Sequence, residues 1–294
     1  MARVRARGRG GEVPVRRWAV VAAVSVLVAV AVYLLAVWTT TGQVLENAAL
    51  RGADEADPGE RDAADHALGQ ITVYSLAVAV VAVGVVGMLR RRPALAFAAV
   101  GLIVAGQAVT QVLKRFLLPR PALVPVSEDY AANSLPSGHT TIAMTVLFAA
   151  LLVVPYRWRG VALFFVLSWA VGIGAYTVTA KWHRLSDTVA ADALSLAVAC
   201  LVSWWLVRRG LVRHHDGPRR IPRVLIVAFT VLAGLVFLVL GGILLVVPLA
   251  EQGLAATVSG DAYVVYLAAN SLASFFSIAT ALVFLAAWRR LEVA

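Results

Sequence analysis

Long apolar runs limit this chain more than any other feature. Residues 18–38 form one such run, interrupted only by Ser25. About 18 or more apolar residues suffice to cross the hydrocarbon core of a bilayer as a helix. Further runs lie at 70–89, 93–117, 138–154, 161–179, 187–207, 224–247 and 262–288. A backbone in lipid must satisfy its own hydrogen bonds, so spans of this length are helices. The chain is 61% hydrophobic and 14% charged, where a soluble domain averages about 45–50% and about 25%. These runs predict an all-α fold: a polytopic membrane bundle of eight transmembrane helices. The first run is too long for a signal-peptide core and lacks a small-x-small cleavage site, so it reads as an uncleaved helix. Cys200 stands alone in the chain, which excludes an intrachain disulfide, and its apolar setting marks it as a buried hydrophobe.

Charge orders the runs. Residues 1–17 are a basic tail, 18–207 carry the first six helices, 208–223 are a basic loop, and 224–290 carry the last two helices. With the N-terminus in the cytoplasm and sides alternating, one face receives nineteen arginines and three acids. The other receives five arginines, both lysines and thirteen acids. The positive-inside rule then predicts both termini in the cytoplasm, in the plasma (cytoplasmic) membrane. The net charge of +10 is thereby placed against anionic lipids of the cytoplasmic leaflet, and a nucleic-acid partner is not needed. Residues 39–69 read as a solvated acidic loop, with room for a short helix.

Three polar clusters interrupt the apolar pattern, and the alternation puts all three on the outer face. The first is Pro136-Ser137-Gly138-His139, which opens an apolar helix. The unpaired N–H groups and dipole of a helix start attract anions. Ser137 adds a hydroxyl, and Gly138 permits close backbone approach. The second runs from Lys114 to Pro121. Gln107, Gln111 and Lys114 are spaced to share one helix face, and Arg120 stands between two prolines with a fork suited to phosphate. The third holds His183 and Asp187, four apart, so that the carboxylate can orient the imidazole as a nucleophile or base. Metal-ligand spacing is lacking around them, and no metal or other cofactor is expected.

These motifs resemble the type 2 phosphatidic acid phosphatase superfamily, membrane lipid phosphatases related to vanadium haloperoxidases. That family carries Lys-x6-Arg-Pro, Pro-Ser-Gly-His and Ser-Arg-x5-His-x3-Asp. Here the second motif is whole, at Pro136 to His139, and the last part of the third is present at His183 to Asp187. The first is one residue shorter, with five residues between Lys114 and Arg120. Tyr176 and Thr177 stand where the family has Ser-Arg, and Lys181 and Arg184 are the cations close enough to replace that arginine. The resemblance covers about 18–207, implying a six-helix lipid phosphatase-like core.

It also implies roles. His183 would form a phosphohistidine, Asp187 would orient it, and His139 would protonate the leaving group and then activate water. Lys114, Arg120, Ser137 and Gly138 would hold phosphate oxygens. The expected activity is hydrolysis of a lipid phosphate or diphosphate at the extracytoplasmic face, on an isoprenyl diphosphate, phosphatidic acid or phosphatidylglycerol phosphate. The same site also fits a lipid-linked phosphotransferase, and the absent arginine fits a non-catalytic lipid-binding or transport protein. Gly241, Gly242, Ser271, Ser274 and Ser277 allow close helix packing, either within the bundle or in a homodimer.

Overall fold

The structure, a computed structural model, describes residues 15–217 and 221–293. Most of the basic tail (residues 1–14) and Arg219 and Arg220 of the basic loop lie outside the described residues. The helices in chain order are α1 (Arg16–Val37), α2 (Thr40–Gly52), α3 (Pro58–Gly69), α4 (Val73–Leu89), α5 (Pro93–Val112), α6 (Gly138–Val153), α7 (Arg159–Thr179), α8 (Leu185–Arg208), α9 (Ile221–Gly260) and α10 (Ala262–Ala287). Two short strands, β1 (Val212–His214) and β2 (Leu291–Val293), pair antiparallel.

Among the described residues, six helices are long and apolar enough to cross a membrane, and a seventh span results if α3 and α4, bent by 62°, count as one. The expected eight is not reached on length, because α4 has 17 residues and α6 has 16. Gly253, with φ 78°, breaks α9 near its end. The α9 helix outlasts its apolar run because Leu249, Ala250, Glu251 and Gln252 all favour helix.

The acidic segment is more ordered than a solvated loop. Thr39 caps α2 by accepting from the Gly42 N–H, and Asp57 caps α3, whose first residue is Pro58. Each supplies the oxygen that a helix start lacks. The α2 helix lies against α10, and Gly52 backs so closely onto Ala262 that a side chain there would strike backbone. Arg51 ties α2 to the end of α9 as well, donating to the Val258 carbonyl at 2.9 Å.

At the centre lies α8, where Thr188, Ala190, Ala199 and Cys200 are fully buried. The small residues of the last two helices are used inside the chain. A Cβ on Gly241 would lie 2.8 Å from Leu272, and Ser277 donates to Asp192 at 2.9 Å. Gly242 faces open space.

Side-chain bonds tie the connections into two groups, one at each end of the bundle. At one end Arg90 donates to Val153 O, Arg92 to Val293 O and Arg159 to Leu291 O. At the other, Tyr33 donates to Pro119 O, Gln43 to Pro121 O and Lys181 to Asp54. The three polar clusters gather at this second end.

Candidate active site

The α6 helix begins as its sequence dictates. Ser137 is its N-cap, accepting from the Thr140 N–H at 3.2 Å. The Ser137 N–H in turn donates to the Asp187 carbonyl at 2.9 Å, which locks the start of α6 to the first turn of α8. That bond brings two distant motifs together. His183 lies two residues before α8 and has Nδ1 3.1 Å from Asp187 Oδ2. The same oxygen accepts the Arg184 N–H at 3.0 Å. With Nδ1 held, the other ring nitrogen of His183 is the one left for chemistry.

His139 lies across from this pair. Its ring centroid is 6.3 Å from that of His183, and Trp182 packs edge-on against it at 5.1 Å. Among the described residues its Nδ1 has no hydrogen-bond partner.

The cation cluster is built from α5 and the loop after it. Gln107 Nε2 reaches the Gly138 carbonyl at 3.5 Å, and Gln111 faces Gly138, so the polar stripe of α5 meets the start of α6. Lys114, half-buried on the same stripe, sits in a π-helical turn (Leu113–Leu117) closed by Leu118 N–H to Leu113 O. Single π turns of this kind recur at functional sites. Arg120 follows, its side chain 4% exposed. The carbonyls on both sides of it are pinned, Pro119 by Tyr33 at 2.7 Å and Pro121 by Gln43 at 2.7 Å. Arg115 is exposed.

The two residues weighed against the missing arginine separate clearly. Lys181 lines the same cavity as His183 but is paired, with both Asp54 oxygens 2.8 Å from Nζ. That bond and its charge hold the Lys181 ammonium above its ordinary pKa even though burial opposes this. Arg184 is buried beside His183. It donates to Tyr130 O at 2.6 Å and to Ser134 Oγ at 3.1 Å. Thr177 is sealed between helices, donating to Gly174 O at 2.7 Å, with Thr188 Oγ1 3.2 Å away. An arginine at 177 would have to displace that contact.

One residue escaped the sequence reading. Glu46, on α2, is 8% exposed. Its Oε1 accepts the Ser186 N–H at 3.1 Å, while Oε2 lies 3.6 Å from Arg120 and 3.9 Å from Arg184. Burial first, and then the Asp187 carboxylate, push the Glu46 acid up to about 7, although Ser186, Arg184 and Arg120 pull it down. Burial pushes the Arg120 guanidinium below its usual range. A usable signal existed in the sequence. Gln43, Glu46, Asn47 and Leu50 fall at helical spacing and are all buried, in a segment otherwise read as solvated.

A cavity of about 250 Å³ opens beside His183 and Arg184, lined also by Tyr130, Asn133, Ser134 and Trp182. Among the described residues, no three His, Cys, Asp or Glu side chains converge as metal ligands do.

The sequence that builds this site matches a known family. The model of the PAP2 superfamily matches residues 71–211. Residues 71–211 are a PAP2 superfamily segment. The match starts just before α4 and ends before β1, so it takes in all three polar clusters, while α1, α2, α9 and α10 lie outside it. No curated protein and no solved structure matches the chain significantly. PAP2 superfamily members are generally phosphatases, and membership points to phosphatase-type chemistry in a membrane protein.

Proposed function

We propose that this PAP2 protein is a lipid phosphatase working through a phosphohistidine. The substrate is a lipid phosphate or diphosphate, such as an isoprenyl diphosphate, phosphatidic acid or phosphatidylglycerol phosphate. The observation that carries the reading is the facing pair of imidazoles, 6.3 Å apart, with one anchored on Asp187.

In this reading the free nitrogen of His183 attacks phosphorus while the bond to the leaving oxygen breaks. His139 supplies the proton that the leaving oxygen takes up. It then removes a proton from water, whose oxygen attacks the phosphohistidine and releases phosphate and free His183. Lys114, Arg120 and Arg184, with Ser137 and the N–H groups at Gly138, stabilise the charge that spreads over the phosphoryl oxygens. Asp187 keeps the attacking imidazole in its reactive tautomer. The membrane arrangement that fits is eight crossings with both termini in the cytoplasm and the site on the outer face. Supporting it, α4 and α6 each run from the site end to the opposite end despite their length.

The test is a panel of these lipids presented to the purified protein, with phosphate release measured. Release from at least one supports the reading, and transfer to an acceptor without release would reassign the protein as a phosphotransferase. No turnover, with lipid still bound, would leave a binding protein.

Glu46 gives this reading a pH signature. Below about pH 7 its carboxyl is protonated, and Arg120 and Arg184 offer their full charge to phosphate. Above that pH the carboxylate competes for them. Substrate affinity is therefore expected to fall as pH rises from 6 to 8. Glu46→Gln should hold the low-pH affinity across that range, a difference of order tenfold at pH 8 for one pKa unit of coupling. Parallel KM profiles for the two proteins would show that Glu46 has no such role.

A further inference from the structure

A second cavity, of about 620 Å³, lies at the end of the bundle opposite His183. Its mouth carries Arg157, Arg223, Arg289 and Arg290. No acid lines it among the described residues. The nearby Glu292 is already engaged, with Arg213 2.8 Å away and His215 Nδ1 3.0 Å away. Arg223 sits 4.1 Å above the Tyr156 ring, and its enclosed Nη1 has no hydrogen-bond partner among the described residues. His215 stacks on the same ring at 3.9 Å. Three further arginines around Arg223, whose enclosed Nη1 is unsatisfied, call for an anion.

The rest of the cavity is of different chemistry. Val224, Val227 and Val231 line it from α9. Leu282, Leu285 and Ala286 line it from α10. The positions fall at i, i+3 and i+7 on α9 and at i, i+3 and i+4 on α10, so each set lies along one helix face. The two apolar faces continue from the cationic mouth into the bundle. A small soluble anion would leave them in contact with water. A molecule with a phosphate at one end and hydrocarbon at the other satisfies both halves.

We infer that this cavity is a binding site for an anionic phospholipid, headgroup among the arginines and acyl chain between α9 and α10. The site joins two parts of the chain. Tyr156 and Arg157 fall within the family match, whereas Arg223, Arg289 and Arg290 fall outside it. A bound lipid would therefore brace the last two helices on the domain. The inference does not depend on the catalytic reading, because the cavity shares no residue with the phosphate site.

The test uses the full chain, delipidated in neutral detergent. Adducts are counted by native mass spectrometry, and thermal unfolding is followed, with phosphatidylglycerol, phosphatidylcholine or inorganic phosphate added. Phosphatidylglycerol should be retained and should raise the unfolding midpoint, while the other two should do neither. Arg289 and Arg290 are exposed, so Arg289→Gln and Arg290→Gln should fold as the parent does. Each should weaken phosphatidylglycerol about fivefold, the share of one surface arginine. Leu285→Trp, which fills the apolar half, should also weaken it with the arginines intact. Equal retention of phosphatidylcholine, binding of phosphate as tight as that of lipid, or full retention by the variants would each overturn the site.

Discussion

His183→Ala should lower phosphate release by about 10⁴-fold or more, the scale on which removing a nucleophile acts. The loss should appear in kcat, because His183 is buried behind Trp182 and the start of α8 and contributes little to holding a lipid tail. Folding should survive. The substitution leaves Asp187 Oδ2 with the Arg184 N–H as a partner, at 3.0 Å. His139→Ala in parallel should still label. With its leaving-group acid gone, it should accumulate less product but show an acid-labile phosphoryl group when mixed with a labelled diphosphate. If the His183→Ala protein released phosphate at the parental rate, the phosphohistidine route would have to be abandoned.

Arg184→Ala should have the next largest effect, a loss of about 10²–10³-fold in kcat/KM, as for removal of one donor that meets developing charge. The expectation rests on position. Arg184 is buried next to His183, and Lys181, the other cation of that loop, is committed to Asp54. Arg184→Lys should recover little, since the two bonds to Tyr130 O and Ser134 Oγ need the planar fork. Arg184 also ties the loop down, so the unfolding midpoint and the inhibition constant of inorganic phosphate must be measured together. A weaker phosphate constant with an unchanged midpoint identifies a phosphate ligand. A lowered midpoint with an unchanged phosphate constant identifies a structural residue. Adding Thr177→Arg to Arg184→Ala should not restore activity, because position 177 is closed off against Thr188. Restoration would show that the third-motif arginine had simply been lost.

The helices were legible in the sequence because a bilayer imposes one simple rule on hydropathy. The elements that were not legible owe their order to partners far along the chain. Three-residue strands such as β1 and β2 carry no periodicity, and they form because residues 212–214 and 291–293 meet at one end of the bundle. The α2 helix was hidden by its company, since an acidic neighbourhood reads as solvent-facing. What buries Glu46 is its contact with Arg120, Arg184 and the Ser186 N–H, from 74 to 140 residues away. The convergence of the three polar clusters could be read, because alternation of sides depends only on the count of spans between them. The division of labour between Lys181 and Arg184 could not, because it turns on Asp54, 127 residues away.

Glu46 also changes what counts as one functional unit. It reaches Arg120 and Arg184 from α2, which leans on the start of α10 at Gly52 and on the end of α9 at Arg51. The carboxylate that faces the Arg120 and Arg184 guanidinium groups is thus supplied by one segment before the family match and steadied by another after it. Grafting residues 71–211 into another bundle would carry over both histidines but leave this counter-charge behind. Such a chimera would inherit the reaction without its setting for acidity. Variation in the flanking helices alone could then retune the pH at which members of one family work, with every catalytic side chain kept.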